Sequence, residues 1–158
     1  MAEELGIGVM PWSPLKNGWL SGKYTRENTQ AVKSERSALV GVPGDKEFPV
    51  IDVLVAVAAE LQVSPAAVAL AWVHQRRGVT STIVGARRID QLRTNLTALD
   101  LELSAAQIAM LDEVSKPALN FPADINAHLS PSFIFAGATV DGQPTQALPL
   151  VTASSVRY

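Results

Sequence analysis

The chain has 158 residues, 13 Lys and Arg against 15 Asp and Glu, and no cysteine. Balanced charge without basic runs argues against nucleic acid as the main partner, and zero cysteine excludes disulfides, thiolate metal ligands and cysteine nucleophiles. No apolar run approaches the roughly 20 residues of a membrane helix, and the acidic start is unlike a secretory signal, so a cytoplasmic chain that does not bind membranes is expected.

Residues 5–10 are short, apolar and bounded by Pro11, which predicts a buried strand, although Gly6 and Gly8 weaken it. Residues 11–22 carry too much Pro and Gly for an element interior. Residues 25–48 are polar and charged, long for a structureless loop, and therefore functional or mobile. Val50, Leu54, Val57 and Leu61 then fall on one helical stripe. Ser64-Pro65 is a helix start, a side-chain acceptor followed by a residue with no N–H to satisfy. That helix presents Val68, Ala71 and Trp72 and is expected to end at Gly78. Residues 79–84, β-branched throughout, predict a second strand. Ile89, Leu92, Leu96 and Leu99 repeat as an amphipathic helix. Ser104 and Gln107 form a capping box for another, whose apolar face is Ile108, Leu111 and Val114. After Pro117 charges become sparse, and 117–158 reads as an extension or tail distinct from 1–116.

Strands alternating with helices imply parallel strands joined by crossovers. Parallel sheets are normally covered on both faces and contain more than two strands. The order therefore suggests the end of a larger α/β protein.

Several constellations bear on chemistry. Gly6-Ile-Gly8 is not a dinucleotide fingerprint, because Pro11 replaces its third glycine and the pair sits within the strand; close backbone packing is the simpler reading. His74 and His128 lie far apart without adjacent carboxylates, and no metal-ligand cluster is present. The segment from Gly85 to Asn95 follows a strand and opens a helix, where orphan N–H groups and the dipole favour an anion. Arg87 and Arg88 at that mouth suit a phosphate. Gln91 and Asn95, four apart, share a helix face and could reach one flat ligand. A solvated basic helix start reads equally well from spacing alone. Trp12 and Ser13 occupy the same end of the other strand, where Trp12 is either a stacking platform or a core aromatic.

The segments around Pro11-Trp-Ser-Pro-Leu15, Gly18-Trp-Leu-Ser-Gly-Lys23 and Ile83-Val-Gly-Ala-Arg-Arg-Ile-Asp-Gln-Leu-Arg-Thr-Asn95 strongly resemble the aldo-keto reductase family. So do Ser64-Pro-Ala-Ala-Val-Ala-Leu-Ala-Trp72 and the stretch leading to Ser104. The resemblance implies part of a (β/α)8 TIM barrel, with strand 7 at residues 5–10 and strand 8 at 82–84, and NADPH-dependent reduction of aldehydes or ketones. It implies that residues 25–48 close over the cofactor and that Trp12 stacks on the nicotinamide. Ser13, Leu15, Gly18 and Leu20 would line the pyrophosphate. Gly85 and Arg87 would meet the adenosine ribose and its 2′-phosphate, with Gln91 and Asn95 on the adenine side. The family's catalytic Asp, Tyr, Lys and His have no counterpart here: Tyr24 and Tyr158, the only tyrosines, do not match the motif. No residue is assigned as catalytic, and the isolated chain is expected to be inactive. Its partners would be a small carbonyl substrate of the parent enzyme and, through open strand edges, further copies of itself. The alternative is a non-catalytic nucleotide-binding or interaction module that pairs with a partner.

Overall fold

The computed structural model describes residues 2–28 and 41–147, and the chain divides into two compact units, residues 1–116 and 117–158. Most of the loop expected to close over a cofactor, residues 29–40, lies outside the described set, as does the end of the tail from residue 148.

The first unit is a helix-rich α/β assembly built on four helices: α1 (Phe48–Glu60), α2 (Pro65–His74), α3 (Ile89–Leu96) and α4 (Ala105–Ser115). Their starts follow from local chemistry. The Ser64 hydroxyl accepts the Ala67 N–H at 3.1 Å, with Pro65 at the first helical position. Ser104 and Gln107 form the reciprocal box, the Ser104 N–H donating to Gln107 Oε1 at 2.9 Å. Each such cap satisfies N–H groups that the helix itself leaves unpaired.

Helix α2 is more central than a one-sided helix: every residue from Ala66 to Ala71 is buried. Its lack of charge in that stretch permits this, with α1, α3 and the 3₁₀ segment Lys16–Ser21 packed around it. The α1 stripe joins the same core through Leu54 and Val57, and α4 through Leu111. Tyr24, placed by sequence in a loop, is only 1% exposed. Helix α2 ends at His74, short of Gly78, whose φ of +81° turns the chain later.

One polar fastener ties α2 to α4. Asp112 Oδ1 accepts the Trp72 indole N–H at 2.8 Å and a bond from Arg76 Nη2, while its Oδ2 accepts from Arg76 Nη1 at 3.0 Å. The Arg76 guanidinium also lies 4.0 Å from the centre of the Trp72 ring. These donors, Arg76 foremost, hold the Asp112 carboxyl below the ordinary carboxylate range. A depressed folded-state pKa adds stability above the unfolded value and loses it as pH falls through the folded one. The melting-temperature gap between wild type and Asp112→Asn should therefore be constant above about pH 5 and close in more acidic buffer. A gap independent of pH would contradict this.

The two predicted strands are corrected in extent and burial. Residues 2–6 form turns closed by the N–H groups of Leu5, Gly6 and Ile7 on Ala2 and Glu3 carbonyls. Beyond them the two segments meet only at isolated parallel bridges, Val9↔Val79 and Trp12↔Ile83. Val9 N–H donates to Gly78 O at 2.8 Å, Thr80 N–H to Val9 O at 2.9 Å, and Ile83 N–H to Pro11 O at 3.0 Å. Pro11 has no N–H to return, and one extra residue on the second segment shifts the register between the bridges, so no continuous ladder forms. Gly8 is required here, because a Cβ would overlap the Thr80 hydroxyl. Leu5, Ile7, Val9, Met10, Ile83 and Val84 are exposed rather than buried. No third strand pairs with either segment among the described residues.

Helix α3 holds a second correction. Its stripe of Ile89, Leu92 and Leu96 faces outward, as does Leu99 in the 3₁₀ turn Thr97–Leu99 that follows, and the residue the helix buries is Asn95. The second unit contains α5 (Ala123–His128), a π-helical turn at Ser130–Ile134, and a hairpin of β1 (Thr139–Val140) and β2 (Gln143–Pro144). Asp141 and Gly142, both at positive φ, make the tight turn of that hairpin. The side chain of His128 lies outside the described set. Among the described residues no single helix is long and apolar enough to cross a membrane.

Candidate functional site

The bridge Trp12↔Ile83 sets the ends of the two extended segments side by side, so the turns that follow face one space. That space is an open cleft of about 730 Å³ in the first unit, within the roughly 300–1,000 Å³ usual for small-molecule sites. From the first turn come Trp12, Ser13, Leu15 and Gly18; from the second, Gly85, Arg87, Gln91 and Asn95. Sequence positions about seventy apart thus share one cavity.

Leu20 is the exception among the expected residues. It packs on the helical core and lines a separate apolar cavity of about 100 Å³ with Leu54, Trp72 and Leu111.

The cleft also gathers residues to which the sequence reading gave no role. Asn17, Ser21 and Lys23 extend the first turn, Asp90 and Thr94 join the expected Arg88 on the second, and Ser64 and Ala66 bring in the start of α2. Lys23 could have been noticed as a cation closing the glycine-rich turn. Ser64 carried only a helix-start signal, and tertiary packing alone brings it here.

Backbone strain concentrates at the first turn. Ser13, Lys16 and Asn17 hold φ of +58°, +45° and +58°, followed by Gly18 at +91°. Left-handed conformations at non-glycine residues cost of order 1 kcal/mol each and gather where a turn must aim its backbone. At the second turn, Arg88 is the N-cap of α3 and supplies no side-chain cap. Gln91 does so instead, its Oε1 accepting the Arg87 N–H at 3.1 Å.

Three cations, Lys23, Arg87 and Arg88, face the cleft against one carboxylate, Asp90. Trp12 is 80% exposed and presents a ring to the space. Asn95 is only 8% exposed, yet its side chain makes no hydrogen bond to a described residue. Its polar atoms are not among the fully buried unpartnered ones, so they stay open to the cleft and to a ligand there. Aromatic face, cations and an unpartnered amide suit an elongated anionic ligand with flat rings, as a phosphorylated dinucleotide is. For metal the residues do not fit: among the described residues no group of His, Asp or Glu could hold one.

The sequence model of the aldo/keto reductase family matches residues 1–116. The chain belongs to the aldo/keto reductase family. Members of this family use a nicotinamide cofactor, NAD(P)H. Relatives include "Uncharacterized oxidoreductase YrpG" of Bacillus subtilis, 33% identical over 113 residues, covering 72% of this chain and 33% of that protein. "Probable aldo-keto reductase 1" of Glycine max is 33% identical over 119 residues, 72% of this chain and 33% of the relative. "Probable voltage-gated potassium channel subunit beta" of Oryza sativa is 36% identical over 103 residues, 61% of this chain and 31% of the relative. The aldo/keto reductase match thus spans about a third of the length of these curated relatives.

Proposed function

We propose that this chain is the cofactor-binding C-terminal portion of an NADPH-dependent aldo-keto reductase. It would contribute strands 7 and 8 of a (β/α)8 barrel, at residues 5–10 and 82–84. The observation that carries the reading is the parallel bridge at Trp12 and Ile83, beyond which both turns open onto one cationic cleft. Bound NADPH would supply hydride for carbonyl reduction. The chain's own residues bind and orient: Trp12 offers a stacking face, Ser13, Leu15 and Gly18 border the phosphates, and Asn95 offers its amide to the base. Gly85 leaves the ribose side open, with no atom within 4 Å of where a Cβ would stand. The guanidinium of Arg87 suits a 2′-phosphate dianion, which favours NADPH over NADH. With no counterpart of the family's catalytic tyrosine, a protein of these 158 residues would bind the cofactor without turning over a carbonyl substrate.

Titration of the purified chain with NADPH, followed by tryptophan fluorescence, tests this. Saturable quenching is expected, weaker for NADH, with the NADPH affinity falling about tenfold or more in Arg87→Ala. Adding an aldehyde to the same sample should produce no NADPH oxidation. Absence of binding by the folded chain would sink the reading.

A second reading is an interaction module that pairs with a partner. The exposed apolar residues of the two bridged segments and of α3 favour it, and one relative is named a channel subunit. A discrete, monodisperse complex by light scattering supports pairing, and a polydisperse sample does not.

A further inference from the structure

We propose that Asn17-Gly18 is a self-modification site. Asn17 converts spontaneously to aspartate or isoaspartate, and the product places a second carboxylate in the cationic cleft.

The chemistry needs nothing but water. The Gly18 backbone nitrogen bonds to the Asn17 Cγ, the bond from Cγ to the side-chain nitrogen breaks, and the amide proton leaves with that nitrogen as ammonia. Water then opens the five-membered imide at either carbonyl, giving aspartate or isoaspartate. Nothing is oxidised or reduced. A side chain on the following residue obstructs the attack, and glycine has none. Of five asparagines only Asn17 precedes glycine; Asn28, Asn95, Asn120 and Asn126 precede Thr, Leu, Phe and Ala.

The turn leaves the electrophile free and sets a cation beside the nucleophile. The Asn17 carboxamide borders the cleft and makes no hydrogen bond to a described residue. Lys23 Nζ lies 3.4 Å from where a Cβ on Gly18 would stand, close enough to favour the anion that forms as the amide nitrogen attacks. The closed turn restrains the reaction. Gly18 N–H donates to Leu15 O at 2.9 Å, and Asn17, at φ 58° and ψ 22°, turns the Gly18 nitrogen away from its own side chain. Ring closure therefore requires the turn to open. Opening is within reach, because a short 3₁₀ segment is held by hydrogen bonds of poor geometry, and Lys16 leaves a strained φ of +45°.

The consequence is electrostatic. Lys23, Arg87 and Arg88 border the cleft against Asp90, so conversion changes three cations against one carboxylate to three against two. Aspartate tolerates the left-handed region as asparagine does, so that product keeps the turn and alters its charge. Isoaspartate lengthens the backbone by one carbon and disturbs the turn as well.

Incubation of the full chain at mildly alkaline pH, then peptic digestion in acid and mass spectrometry with isoaspartate labelling, tests this. Residue 17 should convert ahead of the other four asparagines, faster in urea than in the folded chain. Asn17→Gln, whose ring would have six members, should gain no mass in this turn. Asn17→Asp should bind NADPH about fivefold more weakly than wild type, with the gap narrowing at high salt. This last arm rests on the reading of the cleft as an NADPH site. A folded chain that keeps its residue 17 amide while the urea sample converts would overturn the proposal, as would conversion spread evenly over the asparagines. Equal NADPH affinity in Asn17→Asp and wild type would overturn the charge effect. A wild type that binds no NADPH would remove the cofactor reading alone, and conversion read by mass would still uphold the site.

Discussion

Leu54→Ala should destabilise the first unit by about 3–5 kcal/mol, whereas Leu96→Ser should stay within about 0.5 kcal/mol of wild type. Both leucines lie on regular apolar stripes, and only the structure separates them. Leu54 is 3% exposed, packed among α1, α2 and α4. It already borders an apolar cavity of about 100 Å³, so the void left by truncation would join an existing one. A site that cannot collapse falls in the upper part of the leucine-to-alanine range. Leu96 is 49% exposed and leaves little apolar surface to uncover. Urea denaturation followed by circular dichroism measures both. If Leu96→Ser proved as costly as Leu54→Ala, the outer stripe of α3 would be covered in solution. Light scattering on the same samples would then show an assembly, as the interaction reading expects.

That contrast also explains what the sequence could reveal. Helices α1 to α4 were legible because their signals are local: Ser64-Pro65 and the Ser104 and Gln107 pair work within three residues of themselves. Burial is not local. The stripe of α3 has the same periodicity as that of α1, but periodicity names a face without naming a neighbour. The two strands are realised only in part, for the same reason. Their apolar composition demands a sheet, and without further paired strands among the described residues they reach only two bridges. In the second unit, Asp141-Gly142 was a readable hairpin signal that the sparse charge of the tail obscured.

The cleft was legible differently. Each turn follows an extended segment, and parallel pairing places the ends of such segments on one side. The adjacency of Trp12 and Ile83 therefore brings Trp12, Arg87 and Asn95 to one space from positions far apart in sequence. The hydrogen bond from the Arg87 N–H to Gln91 could not be read from spacing. Residues four apart share a face whether they point at a ligand or at their own backbone.

Gly22→Val should cost about 3 kcal/mol or more, against about 1–2 kcal/mol for Gly78→Val. Both glycines hold a left-handed φ, +85° and +81°, so both substitutions incur the same backbone penalty, raised by β-branching. Their surroundings differ. Around Gly78 nothing lies within 4 Å of an added Cβ, whereas at Gly22 it would meet Pro65 Cγ at 2.9 Å and Cδ at 3.1 Å. The proline ring has no rotamer to escape into, and its retreat is blocked because Ala66 and Ala67 behind it are buried. The turn must move instead, and it carries Lys23 into the cleft. Gly22→Val should therefore weaken NADPH binding as well as stability, while Gly78→Val lowers stability alone. Equal denaturation midpoints for the two variants would mean that the first turn does not rest on α2. The cleft would then lose the wall that joins its two halves.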